Sequence, residues 1–154
     1  MQVLKMKSIK LTCNTSPAVA TGTMIVGKEN IEKSGGIATN IGIHFFDMLL
    51  WVFGSVEDSI VTQHNQSTAT GILTLDIAHI NWTLSIDEQN LPENLRSAGK
   101  KTMRQLKIDD ASIEFSEGFD DLHTLSYQEI LNGSGFGLLE SRKAIELAHL
   151  IRKV

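Results

Sequence analysis

The sequence has little of several residue types, and each scarcity excludes a class of protein. Only one of its 154 residues is cysteine and only two are proline. The single cysteine, Cys13, cannot form an internal disulfide, and no C-x-x-C or His/Cys cluster offers a zinc site. We therefore expect neither a disulfide-stabilised secreted domain nor a zinc module, and a reducing, cytoplasmic setting is the simplest interpretation.

Positive charge and membrane-spanning segments are also scarce. The net charge is −4 and the 14 Lys and Arg residues are scattered, which argues against nucleic acid or an acidic membrane surface as the main partner. Only residues 35–56 form an apolar run long enough to span a bilayer. Asn40, His44 and Asp47 interrupt that run and would cost several kcal/mol in hydrocarbon, so we expect no membrane span.

The patterns that are present predict a single α+β domain. Alternation of apolar and polar residues predicts strands, while longer runs with helical spacing predict helices. The order is strands, a helix, further strands, then helices, which indicates a mainly antiparallel, open-faced sheet with helices packed on one face. Strands are predicted at 9–13, 22–27, 59–63, 70–77, 79–87, 102–109 and 112–117, and helices at 37–53, 120–133 and 137–154.

The helix predicted at 37–53, after Gly35-Gly36 and before Gly54, is apolar nearly all round except for one narrow polar line. At about 100° per residue, Asn40, His44, Asp47 and Trp51 fall within about 60° of one another. A helix of this kind is typical of a protein core, where its polar groups need partners. Two interpretations remain open: the polar groups are satisfied inside the domain, or the line faces a cleft in which a histidine moves a proton.

The run "KSGGIATNIGIHFFDMLLWVFG" resembles the C-terminal domain of the glucose–fructose oxidoreductase, inositol dehydrogenase and rhizopine catabolism (Gfo/Idh/MocA) oxidoreductase family. Members carry a Gly-rich turn and then a helix reading roughly D-x-G-x-H-x-x-D, and here residues 40–47 read N-I-G-I-H-F-F-D. Similarity continues through residues 99–147 and is strongest to the nucleotide-sugar branch. The resemblance implies that residues 1–154 are a single substrate-binding and oligomerisation domain.

The resemblance also implies the chemistry. NAD or NADP would bind through an N-terminal Rossmann domain, in the same chain or a separate one, and the substrate would be a nucleotide sugar. The implied reaction is oxidation of the C3 hydroxyl of a UDP-N-acetylglucosaminuronate-like sugar in lipopolysaccharide and O-antigen biosynthesis. The chain would assemble into a homo-oligomer through the open face of its sheet. The alternative is a dimerisation or sugar-binding module with no activity of its own.

Site residues follow from the same resemblance. His44 matches the family histidine, and Asn40 stands where many members have Asp. An amide is not a general base, so Asn40 would orient substrate by hydrogen bonds. The remaining expected substrate-binding residues are Lys28, Lys33, Gly35, Gly36 and Asp47. The basic residues Lys100, Lys101, Arg104 and Lys107 are expected at a solvated strand edge, because edges favour lysine.

The sequence has no dinucleotide-binding fingerprint. A G-x-G-x-x-G motif needs a preceding strand and a following helix. The one glycine cluster, at 133–137, opens the last predicted helix and is interpreted as a turn between helices. No lysine matches the catalytic lysine that the family places in its Rossmann domain. We therefore expect this chain alone neither to bind NAD tightly nor to catalyse.

Overall fold

The fold is described from a computed structural model, in which residues 6–15, 35–116 and 121–154 are defined. The strands within these ranges form a six-stranded sheet of order β2-β3-β4-β1-β5-β6. Of the five strand pairs described, only β1–β4 is parallel, so the sheet is mixed and mostly antiparallel, and the predicted α+β class is confirmed. The strands are β1 Lys7–Thr15, β2 Val56–His64, β3 Thr68–Leu75, β4 Ala78–Ser85, β5 Thr102–Ile108 and β6 Ala111–Glu114.

In the described part of the chain, four α-helices accompany the sheet, and the first continues from a π-helical turn at Ala38–Gly42. They are α1 Ile43–Phe53, α2 Glu93–Ser97, α3 Leu122–Leu131 and α4 Leu138–Ile151, with a short 3-10 turn at Glu88–Asn90. The 3-10 turn and α2 were not predicted, because five residues or fewer show no readable period. None of the helices in the described ranges is both long enough and apolar enough to cross a bilayer. The strand predicted at 22–27 lies outside the described residues.

The core lies between one face of the sheet and the two helices α1 and α4. Along β4, Ile80, Trp82 and Leu84 are buried while His79 and Asn81 are exposed, so the predicted alternation is confirmed. The stripe predicted on the last helix is also confirmed, because its residues are all buried: Ala144, Leu147, Ala148 and Ile151. Cys13 is buried in the same core.

Two glycines let the layers approach closely. A Cβ atom at Gly42 would lie 2.8 Å from Cδ1 of Leu84, so the start of α1 rests directly on β4. A Cβ atom at Gly71 would collide with the carbonyl oxygen of Ile60 and with the indole of Trp82. The space at Gly71 admits Trp82, on which Phe46 of α1 packs edge-on with ring centroids 5.5 Å apart.

The opposite face of the sheet carries no helix among the described residues. Ile72, His79, Asn81 and Lys10 are exposed there. Ile60 of β2 and Ile72 of β3 are register partners and are both exposed, so they form a small apolar patch on this open face. Among the described residues, this face of the sheet is therefore uncovered.

Candidate functional site

The start of α1 is built by two glycines in backbone conformations that other residues rarely adopt. Gly35 and Gly36 have φ values of 77° and 69°. A Cβ atom on Gly35 would lie 2.5 Å from Oγ1 of Thr39, so the turn is also too tight for a side chain. The Nδ2 of Asn40 donates to the carbonyl oxygen of Gly36 at 2.8 Å. The sequence-predicted residues Gly35, Gly36 and Asn40 are thus brought together here.

The polar line on α1 faces outward. His44 and Asp47 are exposed, and Trp51, one turn further on, is 85% exposed. The interpretation that these groups are buried and satisfied inside the domain is therefore wrong for His44 and Asp47. The opposite side of α1 is covered, because Phe46 and Leu49 are fully buried in the core. The helix is therefore covered on one side and open on the other.

An aromatic contact joins this site to the end of the sheet. Phe45, next to His44, is buried and packs against Phe115 with ring centroids 6.0 Å apart. Phe115 follows β6, and its backbone N–H donates to the carbonyl oxygen of Arg104 at 2.9 Å. The contact holds the first turn of α1 against the β5–β6 hairpin.

Arg104 corrects one expectation about the basic residues. β5 lies between β1 and β6 rather than at an edge of the sheet, and Arg104 is the register partner of buried Cys13. Arg104 is half-buried, and its Nη1 donates to the carbonyl oxygen of Ser116 at 3.2 Å. Lys100, Lys101 and Lys107 are exposed, as expected. Sequence alone does not give the order of strands, and that order decides which of these side chains is enclosed.

The glycine cluster at 133–137 connects α3 to α4, as predicted. The backbone N–H of Gly137 donates to Oε2 of Glu140 at 2.9 Å and thereby caps α4. A helix precedes the cluster instead of a strand, so it does not fit a dinucleotide pyrophosphate. In the described ranges, no group of three or more His, Cys, Asp or Glu residues could hold a metal ion. The predicted residues Lys28 and Lys33 lie outside those ranges.

Comparisons with known proteins identify the family to which the chain belongs. Residues 26–91 match the model of an oxidoreductase family described as a C-terminal alpha/beta domain, the Gfo/Idh/MocA family. Over 97% of its length, this chain is 44% identical to the WlbA (WbpB) dehydrogenase from Thermus thermophilus. The TM-score is 0.88 against the structure of that enzyme with NAD and alpha-ketoglutarate, and 0.87 against its structure with NAD and UDP-GlcNAcA.

A myo-inositol dehydrogenase from Corynebacterium glutamicum shares the fold, at 15% identity over 97% of this chain and a TM-score of 0.64. This chain covers 48% of the Thermus chain in one complex and 47% in the other, and 54% of the Corynebacterium chain, so it spans about half the length of each. The resemblance seen in the helix motif is confirmed, and the chain belongs with the C-terminal alpha/beta domains of the Gfo/Idh/MocA oxidoreductases.

Proposed function

We propose that this chain is the substrate-binding half of an NAD(P)-dependent dehydrogenase that oxidises the C3 hydroxyl of a UDP-N-acetylglucosaminuronate-like sugar for lipopolysaccharide biosynthesis. The observation that carries the proposal is the 44% identity, over 97% of this chain, to a dehydrogenase crystallised with NAD and UDP-GlcNAcA. In this proposal, residues 1–154 form one domain and the protein works in the cytoplasm.

The coenzyme would be held elsewhere. The described residues offer no strand–turn–helix unit for a dinucleotide, and the glycine cluster at 133–137 links two helices. A Rossmann half, in the same polypeptide or as a separate one, would therefore bind NAD or NADP. When bound, the nicotinamide accepts the hydride that leaves C3 of the sugar.

The residues of this chain would manage the proton and the orientation of the sugar. His44 is exposed on α1, where its imidazole can take or relay the proton of the C3 hydroxyl. Asp47 is one turn further along the same line and would help to position the sugar. Asn40, tied to the carbonyl oxygen of Gly36, would hold the glycine turn in shape beside the substrate.

The glycine turn suits a polar ligand. Gly36 has no side chain and is half-buried, so a sugar hydroxyl or a diphosphate oxygen can approach its backbone closely, whereas Gly35 is buried against Thr39 and would shape the turn. Lys28 and Lys33, from the preceding segment, would supply positive charge for the diphosphate or the uronate carboxylate. These two assignments depend on the sequence resemblance alone.

The experiment is a chimera in which the unmatched half of the Thermus thermophilus dehydrogenase is joined to this chain. We expect NAD reduction that depends on UDP-GlcNAcA. Replacing His44 by Ala should lower kcat by about 10²-fold or more, the usual contribution of a general acid–base group. The matched control is His79→Ala, a second exposed histidine on the open sheet face. Equal turnover of the two variants would remove His44 from the mechanism.

A second role is favoured by the open sheet face. Ile60 and Ile72 are 49% and 37% exposed as direct neighbours on that face, and the surrounding side chains are mostly polar. We propose that two copies of the chain associate through this face. Sedimentation should show a dimer that Ile72→Asp dissociates. The assignment is contradicted if the Ile72→Asp variant still forms a dimer, or if the wild-type chain is a monomer.

If the chimera binds no UDP-sugar but the dimer remains, the chain is a dimerisation module without activity of its own. Calorimetry with UDP-GlcNAcA on the chimera separates the two possibilities, because substrate binding does not require turnover.

A further inference from the structure

A cleft lies on the open face of the sheet, where β4, β1 and β5 run side by side. Its volume is about 410 Å³, within the range of about 300–1,000 Å³ that is usual for small-molecule sites. Its lining is mostly polar and comes from these three strands and from the turn after β5. The lining residues are Ser8, Ile9, Lys10, Asn81, Lys107 and Asp109.

Strand pairing places two lysines directly opposite each other in this cleft. Lys10 of β1 is the register partner of Lys107 of β5, and both are exposed. Residues opposed in this way have Cβ atoms about 4.5–5.5 Å apart, and like charges at that distance destabilise a sheet. Both β1 and β5 have a strand on each side, so the pair does not protect a sheet edge from other strands, which is the usual role of lysine in a sheet.

The neighbours of the two lysines across the sheet are neutral side chains that can donate hydrogen bonds. Asn81 of β4 is the register partner of Lys10, and Ser112 of β6 is the register partner of Lys107. The row across four strands therefore offers an amide, two ammonium groups and a hydroxyl, and it contains no carboxylate. An anion with several oxygens can accept hydrogen bonds from more than one of these groups at once.

The carboxylates around this row do not neutralise it. Asp109 lines the cleft two residues after Lys107, at a φ of 51° in the turn between β5 and β6. Among the described residues, neither Asp109 nor Asp110 forms an ion pair with either lysine. Glu114, at the end of β6, already accepts hydrogen bonds from the hydroxyl and the backbone N–H of Ser116. The lining thus has two positive side chains and one negative one, and it keeps an excess of positive charge.

We propose that this cleft binds a small molecule through a phosphate group. The ammonium groups of Lys10 and Lys107 hold the phosphate between β1 and β5, and the amide of Asn81 donates to it from β4. A phosphate suits these donors because it has three or more strong acceptor oxygens. Binding removes the repulsion between the two lysines, so it stabilises the folded domain. The inference does not rest on the proposed function, because the cleft is on the face of the sheet opposite to α1.

The cleft is separate from the apolar patch of Ile60 and Ile72. Asn81 lies between Ile72 and Lys10 in the register of the sheet. Lys107 is three strands away from Ile72, or about 14 Å at about 4.8 Å per strand. A carboxylate of a second copy is the other possible occupant of the cleft, and its occupancy would depend on protein concentration.

Titration with inorganic phosphate and with glycerol phosphate, followed by NMR of the isotope-labelled chain, tests the proposal. We expect saturable shifts of the backbone amides of Lys10, Asn81 and Lys107, and none with NaCl at the same ionic strength. Lys10→Gln and Lys107→Gln should each weaken binding by about 10-fold or more, because a hydrogen bond to a charged group is lost. The matched control Lys101→Gln removes an exposed lysine outside the cleft and should leave the affinity unchanged.

Three results of the titration overturn the proposal. The first is a wild-type chain that responds to phosphate no more than to NaCl, and the second is equal loss of affinity in Lys101→Gln and Lys107→Gln. The third is a phosphate affinity that falls as the protein concentration rises, because a second copy then fills the cleft. Tighter binding of glycerol phosphate than of inorganic phosphate supports a phosphate ester as the ligand, and equal binding supports the free ion.

Thermal unfolding gives a second readout on the same variants. Without phosphate and at low ionic strength, Lys107→Gln should be more stable than the wild type, because the opposed charges are removed. Phosphate at about five times its Kd should raise the Tm of the wild type by about 2–4 °C and leave that of Lys107→Gln unchanged. An equal rise in both chains, or a variant that is less stable than the wild type without phosphate, contradicts the proposal.

Discussion

The two sides of α1 use similar side chains for different purposes. On the inner side, Phe46 and Leu49 are fully buried against the sheet. On the outer side, Trp51 is as apolar as they are, yet it is 85% exposed beside His44 and Asp47. The inner side holds the fold together, whereas the outer side contributes little to it. The outer residues are therefore free to serve a contact outside this chain.

The same contrast separates the last two helices. α4 buries a full stripe of apolar residues against α1, while α3 buries none of its side chains. The apolar content of a segment thus does not decide whether this domain covers it. On α1 itself, buried Phe46 and Leu49 and exposed Trp51 belong to one helix, and Trp51 follows the candidate residues His44 and Asp47.

The two sides of α1 should differ most in how much stability is lost when one aromatic residue on each is truncated. Phe46→Ala removes a fully buried ring that packs edge-on against Trp82. We expect the free energy of unfolding to fall by about 3–5 kcal/mol, because both transfer energy and a cavity are involved. Trp51→Ala, the matched control on the exposed side, should change it by no more than about 0.5 kcal/mol.

Urea denaturation followed by circular dichroism measures both variants. A Phe46→Ala chain that does not fold agrees with the expectation, since 3–5 kcal/mol is a large part of the stability of a domain. A loss for Trp51→Ala that equals the loss for Phe46→Ala would show that the outer side is covered within this chain, and the division would be wrong.

Local patterns in the sequence predicted the six described strands and α4, because alternation and helical spacing depend only on residues that are close in the chain. The order of the strands could not be predicted in this way. β1 pairs with β4 in parallel, with Ile9 opposite Ile80, and no local signal connects residues so far apart. The interior position of β5, and with it the half-burial of Arg104, depends on the same long-range pairing.

The residues of the candidate site were proposed from the sequence, whereas their surroundings could not be predicted from it. Helical spacing correctly placed His44 and Asp47 on one line, because this follows from the 3.6-residue period. The sequence could not show which side of the helix the sheet covers, since burial depends on elements distant in the chain. Only the resemblance to a known family gave these residues a chemical role.

A smaller effect is expected at Gly71, beneath the inner side of α1. Gly71→Ala would place a methyl group against the carbonyl oxygen of Ile60 and the ring of Trp82, neither of which can move freely. Overpacking of this kind should cost about 1–3 kcal/mol. The adjacent control is Ile72→Ala on the open face, which should cost less in the isolated monomer. Thermal unfolding at low protein concentration measures the stability of both variants. If Ile72→Ala loses more stability than Gly71→Ala, the open face and not the helix side limits the stability of the domain.

The smallest effect concerns Asn40, which lies on the boundary between the two sides and is half-buried. Asn40→Ala removes the hydrogen bond to the carbonyl oxygen of Gly36, so stability should fall by about 1 kcal/mol. Asn81→Ala, an exposed asparagine on the open sheet face, is the control and should change it by less than about 0.5 kcal/mol. Chemical denaturation of the isolated chain and turnover of the chimera are measured on the same variants. If Asn40→Ala lowers kcat but leaves stability intact, the side chain of Asn40 acts on the sugar and not on the glycine turn. Asn40 then belongs with the outward-facing residues His44 and Asp47 and not with the residues that stabilise the fold.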